Sequence, residues 1–428
     1  MVTNWENKLG ESISVGVGYY NKEHREALQG YPTAEKIQEV VEKGIVVPVP
    51  EFLTYFLFHK IRSVPSLRSG YAAVREAISH SYGMLSDFVN LESGFLHLSD
   101  EALMLPEFVT EYIGESVALS VVNRVHGLTE ADWVPIPKPT EGKFFDYELA
   151  SNGAQNIQVE AKGSVVEDVA LKSNSISNQR LSIERKKGGT EDGLRGSLRY
   201  GAITAIPSGP QALKCWLLDP PPEDDRREPR DLRIIARLRF LRWIIWLVSP
   251  RSHLATALAN RVRDVETLQQ PYELSGIPLA SADGSPLEIS YNIVRSRAFA
   301  TFFGSRSRVV DGPAGGVVVP LPKRDGLMFI GFREDLLELA AGQNFNEIST
   351  YSAPVAAIRK RVLCTVSARE FDTFRISADG LTRFRKSGGY VYFELEGALA
   401  YSQEGLVFGV LPVQFNRMNS NNDEVLTL

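Results

Sequence analysis

The chain has 428 residues, more than one hydrophobic core usually supports, so two or three domains are expected. Its 43% apolar and 23% charged residues are typical of globular proteins. A net charge of −5 argues against non-specific coating of nucleic acid or membranes, although a local basic groove remains compatible with it.

The cysteine content and the apolar stretches restrict the protein class further. Cys215 and Cys364 are the only cysteines, too few for a disulfide framework or a cysteine zinc site, so a reducing cytoplasm is expected. The N-terminus lacks the pattern of a signal peptide. The most apolar stretch, residues 234–249, is interrupted by three arginines, which predicts a buried helix and no membrane partner.

The first half of the chain divides into a helical part and an α/β part. Residues 1–100 contain the helical patterns TAEKIQEVVEK, EFLTYFLFHKI and GYAAVREAISHSYGML, which predict a mainly helical N-terminal domain. Residues 101–220 begin with a helical pattern that ends at Gly127. Three strand patterns, WVPIP, KFFDYELAS and QNIQVEAKGS, come next, and a helix and two more strands follow them. This order predicts a compact α/β unit.

The second half begins with a linker. Residues 219–231, DPPPEDDRREPRD, hold four prolines and many charges, and they predict an exposed boundary. Residues 231–266 are predicted to be helical, and residues 267–428 to form a mixed, β-rich C-terminal domain. The predicted fold class is therefore a multidomain α/β (α+β) protein.

The hairpin of residues 145–164 carries acids on otherwise apolar strands. Alternation places Glu160 and Lys162 on one face of their strand, and Asp146 and Glu148 on one face of the preceding strand. A loop with an odd number of residues, for example three residues centred on Gly153, would set Asp146 opposite Glu160. A two-residue turn would set Asp146 opposite Val159 instead.

Two carboxylates from adjacent strands form a hard-oxygen site that suits Mg²⁺ or Mn²⁺, and a neighbouring lysine can orient a water. The arrangement resembles the PD-(D/E)XK nuclease superfamily, whose restriction-endonuclease-like core is a helix, three strands, a helix and a strand. The resemblance covers residues 105–220. It implies that Asp146 and Glu160 bind the metal and that Lys162 is the catalytic lysine.

The resemblance also implies roles for residues on the two helices. Glu115 would join the metal site from the helix before the hairpin, and Gln179 or Lys172 would approach the scissile phosphate. The chain departs from the family pattern at Phe145, where the family has a nominal proline, and at Glu148, which is a competing acid.

Acid-x-Lys is a short motif, and we compare its occurrences at Glu141, Glu160 and Glu184. Only Glu160 lies in an apolar strand that follows another strand acid. The other two are expected to be solvated, and an exposed cross-strand ion pair is the alternative for Glu160–Lys162 itself. Residues 172–199 carry seven Lys and Arg against three acids, a local excess that suits a phosphate backbone or a solvated loop.

We therefore expect a metal-dependent nuclease that acts on nucleic acid, with DNA as the favoured substrate. Defence against foreign DNA in prokaryotes or DNA repair would be its context, and a homo-oligomer or a partner protein is compatible with it. The alternative is a non-catalytic nucleic-acid-binding or scaffold protein on the same fold. Neither a phosphate-loop motif nor an H-E-x-x-H motif is present.

Overall fold

A computed structural model describes residues 4–63, 70–99, 106–135, 148–187, 198–218, 228–268, 270–279, 306–321, 326–374 and 381–413. The described chain is a mixed α/β structure in which two large sheets are packed together with helices. No helix in these ranges has the length and apolar character needed to cross a bilayer.

The elements are as follows. The strands are β1 (Ser12–Tyr19), β2 (Ile45–Pro48), β3 (Val89–Glu92), β4 (Phe95–Leu98), β5 (Trp133–Pro135), β6 (Glu148–Ser151), β7 (Asn156–Val166), β8 (Leu198–Pro207), β9 (Leu213–Leu218), β10 (Ser307–Val309), β11 (Ala314–Pro320), β12 (Gly326–Arg333), β13 (Ala356–Ser367), β14 (Thr382–Ser387), β15 (Tyr390–Tyr401) and β16 (Leu406–Pro412). The helices are α1 (Lys22–Leu28), α2 (Ala34–Lys43), α3 (Val49–Thr54), a π-helical segment (Tyr55–His59), α4 (Lys60–Ser63), α5 (Tyr71–Phe88), α6 (Glu107–His126), α7 (Asn174–Lys187), α8 (Pro229–Val248), α9 (His253–Thr267), α10 (Asp335–Gly342), α11 (Phe345–Thr350) and α12 (Ala368–Phe371). Short 3₁₀ turns lie at Trp5–Asn7, Glu130–Asp132 and Pro271–Leu274.

The first sheet has the strand order β2-β1-β9-β8-β7-β6-β5. Strand β7 runs parallel to β8, with α7 as the crossover, and β1 runs parallel to β9, while the other neighbours are antiparallel. The sheet therefore combines strands from the start of the chain with strands that lie about 200 residues later in the sequence.

Helices cover both faces of this sheet. Helix α6 follows Pro106 and ends at Gly127, whose φ of 64° is the left-handed conformation that favours glycine. It crosses β7 at very close range, because a Cβ on Gly114 would lie 2.4 Å from the backbone nitrogen of Gly163. Helix α7 packs on the opposite face, where Ile176 and Ile183 join the apolar cluster that contains Ile203 of β8.

The second sheet closes into a barrel. Its order is β13-β10-β11-β12-β16-β15, and β15 pairs with β13 along its whole length, while β14 extends the free part of the β15 edge. One set of alternating side chains, including Phe329, Val362 and Phe393, fills the barrel. The outward side chains of β11, β12 and β16, such as Ile330 and Phe408, pack into the core shared with the first sheet.

Two of the predicted boundaries differ from the structure. Residues 1–100 are not a separate helical unit, because β1 and β2 complete the first sheet. The last residues of the predicted linker, Pro229–Asp231, form the first turn of α8, where proline is well tolerated; residues 219–227 lie outside the described ranges. The helical prediction for residues 231–266 corresponds to two helices, α8 and α9.

Candidate functional site

The candidate site centres on two charged side chains of β7, an interior strand of the first sheet. Glu160 Oε1 lies 2.9 Å from Lys162 Nζ, so the two residues form the ion pair that their i, i+2 spacing allows. The Glu160 side chain is only 1% exposed and that of Lys162 is 22% exposed. Glu160 is therefore buried, whereas the Lys162 side chain is partly exposed.

Alternation along β7 assigns the pair to the α7 side of the sheet. A Cβ on Gly163 would point at the carbonyl oxygen of Thr110 in α6, so Gly163 faces α6 and its neighbours face the other way. Glu160 is in register with Gly201, and a Cβ on Gly201 would meet Ile183 of α7.

A row of polar residues continues from this pair along the strand. Asn156 and Gln158 alternate with apolar residues in the same phase as Glu160, and Arg199 stands beside Gln158 on β8. All four residues are buried. Polar groups in a sheet interior are costly unless they are hydrogen-bonded or paired, so this row is a candidate for a functional site.

Gln158, Asn156 and Arg199 were not among the predicted site residues. The alternation of Asn156, Gln158, Glu160 and Lys162 was a signal in the sequence for the β7 part of the row. Arg199 could not be found in this way, because it belongs to another strand and only the parallel β7–β8 register brings it to the site.

The hairpin register differs from the expected one. Ser151 pairs with Asn156, which leaves a loop of residues 152–155, and Glu148 is opposite Val159. The loop is therefore neither the odd one that would set Asp146 opposite Glu160 nor the two-residue turn. The Asn152 side chain explains the four-residue loop, because its Oδ1 accepts hydrogen bonds from the backbone N–H groups of Ala154 and Gln155.

This register affects two of the predicted acids. Glu148 pairs with Val159 and not with Glu160, so the backbone ladder gives no support to Glu148 as the partner of Glu160. Asp146 lies outside the described residues. Its approach to Glu160 no longer follows from the hairpin register and stays a prediction.

Glu115 lies on the helix that covers the opposite face of the sheet. Its Oε1 is 3.1 Å from Lys60 Nζ, and the same ammonium group lies 3.2 Å from Glu111 Oε1. Glu115 is nearly buried in this contact. Because α6 packs on the face opposite to Glu160, Glu115 is better described as the ion-pair partner of Lys60 than as a metal ligand beside Glu160.

Gln179 is a half-exposed residue of α7, on the same side of the sheet as Glu160. Lys172 precedes this helix, and its ammonium group lies 4.8 Å from the ring centroid of Tyr20 and 5.2 Å from that of Trp216. These cation–π contacts direct Lys172 towards the β9–β1 part of the sheet. In the strand register, Ile203 of β8 lies between Lys162 and Trp216, so the ring that Lys172 contacts is two strands away from Lys162.

A second cluster of buried charges, which was not predicted, joins the barrel to the first sheet. Arg237 of α8 binds Asp132 through Nε and Nη2 at 2.7 and 2.8 Å, and Arg237 Nη1 also donates to the carbonyl of Tyr351. Burial alone would raise the pKa of Asp132, but the charges of Arg237 and Arg233 outweigh it and lower the pKa.

Glu130 and Glu404 extend this cluster to the turn between β15 and β16. The backbone N–H of Glu130 donates to Glu404 Oε1 at 2.9 Å, and the Glu130 carboxylate contacts Arg62 and the ring of His59. Burial, together with the nearby charge of Glu130, raises the pKa of Glu404 to about 7. These contacts are structural, because they hold one sheet against the other.

Within the described ranges, no three His, Cys, Asp or Glu side chains come together as a metal-binding group. Comparisons with protein-family models, with curated proteins and with solved structures gave no match.

Proposed function

We propose that the protein is a metal-dependent nuclease that hydrolyses phosphodiester bonds, with DNA as its substrate. The observation that carries the proposal is the ion pair between the buried Glu160 and the partly exposed Lys162 on an interior strand. The arrangement around the pair supports a restriction-endonuclease-like core: α6 is followed by β5, β6 and β7, then by α7 and β8, in the order helix, three strands, helix, strand.

The burial of Glu160 argues against a decorative surface pair. An exposed ion pair contributes about 0–1 kcal/mol and can be replaced at little cost. Moving a carboxylate out of water costs several kcal/mol, and the cluster of Asp132 and Glu130 offsets this cost by joining the two sheets. We assign the buried row of Glu160, Gln158 and Arg199 to function because it lies on the strand that carries the acid-x-Lys string.

The donor chemistry fits a magnesium or manganese ion. The Glu160 carboxylate would hold the ion together with Asp146, and oxygen ligands of this kind are those that Mg²⁺ prefers. When bound, the ion would offset the negative charge that develops on the phosphate. Lys162 is placed one strand step further along the same face, where its ammonium group can orient a water for attack.

The test uses the full chain with plasmid DNA, linear duplex DNA, single-stranded DNA and RNA, each with Mg²⁺, Mn²⁺ or EDTA. We expect cleavage that requires the metal. Glu160→Gln should lower the rate by about 100-fold or more while folding and binding persist, because the change is nearly isosteric but removes the negative charge. Lys162→Ala should have a similar effect.

Glu184→Gln is the matched control, because Glu184 also belongs to an acid-x-Lys string but lies on α7 beside Arg180. It should cleave at the parent rate. Equal rates for all three variants would contradict the proposal. Binding without cleavage by the parent protein in every metal would favour the alternative, a non-catalytic nucleic-acid-binding or scaffold protein.

A further inference from the structure

The barrel leaves one side of its outer surface in solvent. The outward residues of β11, β12 and β16 are covered by the shared core, and so is Ala400 near the end of β15. Most outward side chains of β13, of β14 and of the first half of β15 are exposed or partly exposed, with Thr365 and Glu394 as buried exceptions. We call this second region the Tyr–Arg face, and its members are Tyr390, Tyr392, Arg359, Arg361, Arg383 and Arg385.

Two tyrosine rings lie side by side on this face. Tyr390 and Tyr392 are two residues apart on β15 and therefore project on the same side of the strand. Their ring centroids are 6.5 Å apart, and Tyr390 is 37% exposed, which makes it one of the few exposed large apolar residues of the described chain. The guanidinium of Arg385 lies 5.1 Å from the ring centroid of Tyr392. Tyr390 is exposed and Tyr392 is partly exposed, so the pair offers aromatic surface for stacking against another planar group.

Two arginines of this face form ion pairs with the same buried carboxylate. Glu394 has a side chain only 9% exposed, and its two carboxylate oxygens lie 2.7 Å from Arg383 and 3.5 Å from Arg361. The arginine side chains themselves remain 66% and 47% exposed. Glu394 thus orients both guanidinium groups while leaving them accessible, which reduces the ordering that a ligand would have to impose.

The face also carries a positive excess. Arg359 is 2.6 Å from Glu396, and Arg361 is 3.9 Å from Asp311. With Arg308 of β10, which is in register with Leu363 and so projects on the same side, the described arginines of this region outnumber its acids by five to three. This local charge stands out in a chain whose net charge is −5.

We propose that the Tyr–Arg face binds single-stranded nucleic acid. The exposed rings offer stacking surfaces to unpaired bases, and the oriented arginines offer charge to the phosphates on either side. A duplex does not fit this chemistry as well, because its base faces are stacked on one another and cannot reach the rings. The inference is independent of the proposed nuclease site, since the two sites share no residue.

The test measures binding of the full-length protein to fluorescein-labelled 15-mers by fluorescence anisotropy in EDTA, so that cleavage does not interfere. The probes are oligo(dT), oligo(U) and a mixed-sequence 15-bp DNA duplex. We expect both single strands to bind more tightly than the duplex. The variant Tyr390→Ala/Tyr392→Ala should weaken single-strand binding roughly 10-fold or more, because base–aromatic stacking contributes strongly for each base.

Matched variants separate stacking from charge and from folding. The variant Tyr390→Phe/Tyr392→Phe keeps both rings and should bind like the parent. Log K for association falls linearly with the logarithm of the salt concentration. Arg385→Ala should make this slope less steep by about 0.7, the value for one phosphate contact to a single strand. Arg263→Ala on α9, an exposed arginine beside Asn260, is the charge control and should leave the affinity unchanged.

The proposal is overturned if the parent does not bind either single strand, if the duplex binds as tightly as they do, or if the alanine double variant stays within twofold of the parent. A preference for oligo(dT) would identify DNA as the ligand of this face and a preference for oligo(U) would identify RNA. Both outcomes support the proposal.

Discussion

Glu404 should make the free energy of unfolding depend on pH between about pH 4.5 and pH 7. Its carboxyl has an ordinary pKa of 4.5, and burial with the nearby charge of Glu130 raises the pKa to about 7 in the folded protein. The folded state therefore binds this proton more tightly than the unfolded chain does. The stabilisation is complete below pH 4.5 and is lost as the pH rises towards 7, a change of about 3 kcal/mol at about 1.4 kcal/mol per pH unit.

The substitution Glu404→Gln removes this titration while keeping an acceptor for the N–H of Glu130, which is 2.9 Å away in the parent. Urea denaturation followed by tryptophan fluorescence gives the free energy of unfolding at each pH. Relative to the parent, the variant should gain about 2 to 3 kcal/mol in the free energy of unfolding between pH 5 and pH 8. Glu396→Gln, at an exposed position of β15, is the control and should show no such trend.

A constant difference between Glu404→Gln and the parent across this pH range would refute the reasoning. It would mean that the carboxyl is ionised to the same degree in the folded and unfolded states. The reasoning would also be refuted if the variant gained stability relative to the parent as the pH falls below 5. That result would mean that folding lowers the pKa of Glu404 instead of raising it.

Two further predictions concern buried positions. Gly114→Ala should destabilise the protein by about 3 kcal/mol or more, because its Cβ would lie 2.4 Å from the backbone nitrogen of Gly163, whereas Gly10→Ala, with open space around Gly10, should change the thermal midpoint little. Both cysteines should resist a thiol reagent at pH 8 in the native state and react after denaturation, because burial keeps their thiols inaccessible and raises the pKa of Cys215 to about 12 and that of Cys364 further still.

Local patterns predicted the elements around the candidate site well. The helix that was expected to end at Gly127 ends there, since a glycine can adopt the left-handed cap conformation without strain. The strand QNIQVEAKGS corresponds to β7, and its alternation correctly placed Glu160 and Lys162 on the same face of the strand. Both signals are carried by neighbouring residues, which is why the sequence alone revealed them.

The errors arose where distant residues decide. Strand β1 was hidden in a region predicted to be helical, because its partner β9 lies far along the chain. The hairpin register is a local exception, because the Asn152 side chain accepts hydrogen bonds from the backbone of Ala154 and Gln155 within a four-residue loop. Arg199 reached the site only through the parallel pairing of β7 with β8, which no local pattern encodes.

The placement of β1 beside β9 has a consequence for how the chain is made. A ribosome adds about 5–20 residues each second, so β1 waits roughly 10–40 s for β9 to be synthesised. During that interval β1 has no partner on that side, although β2 can already pair with its other edge. The early β1–β2 pair therefore has an open edge that is exposed to other nascent chains, and crowded expression should favour aggregation through it.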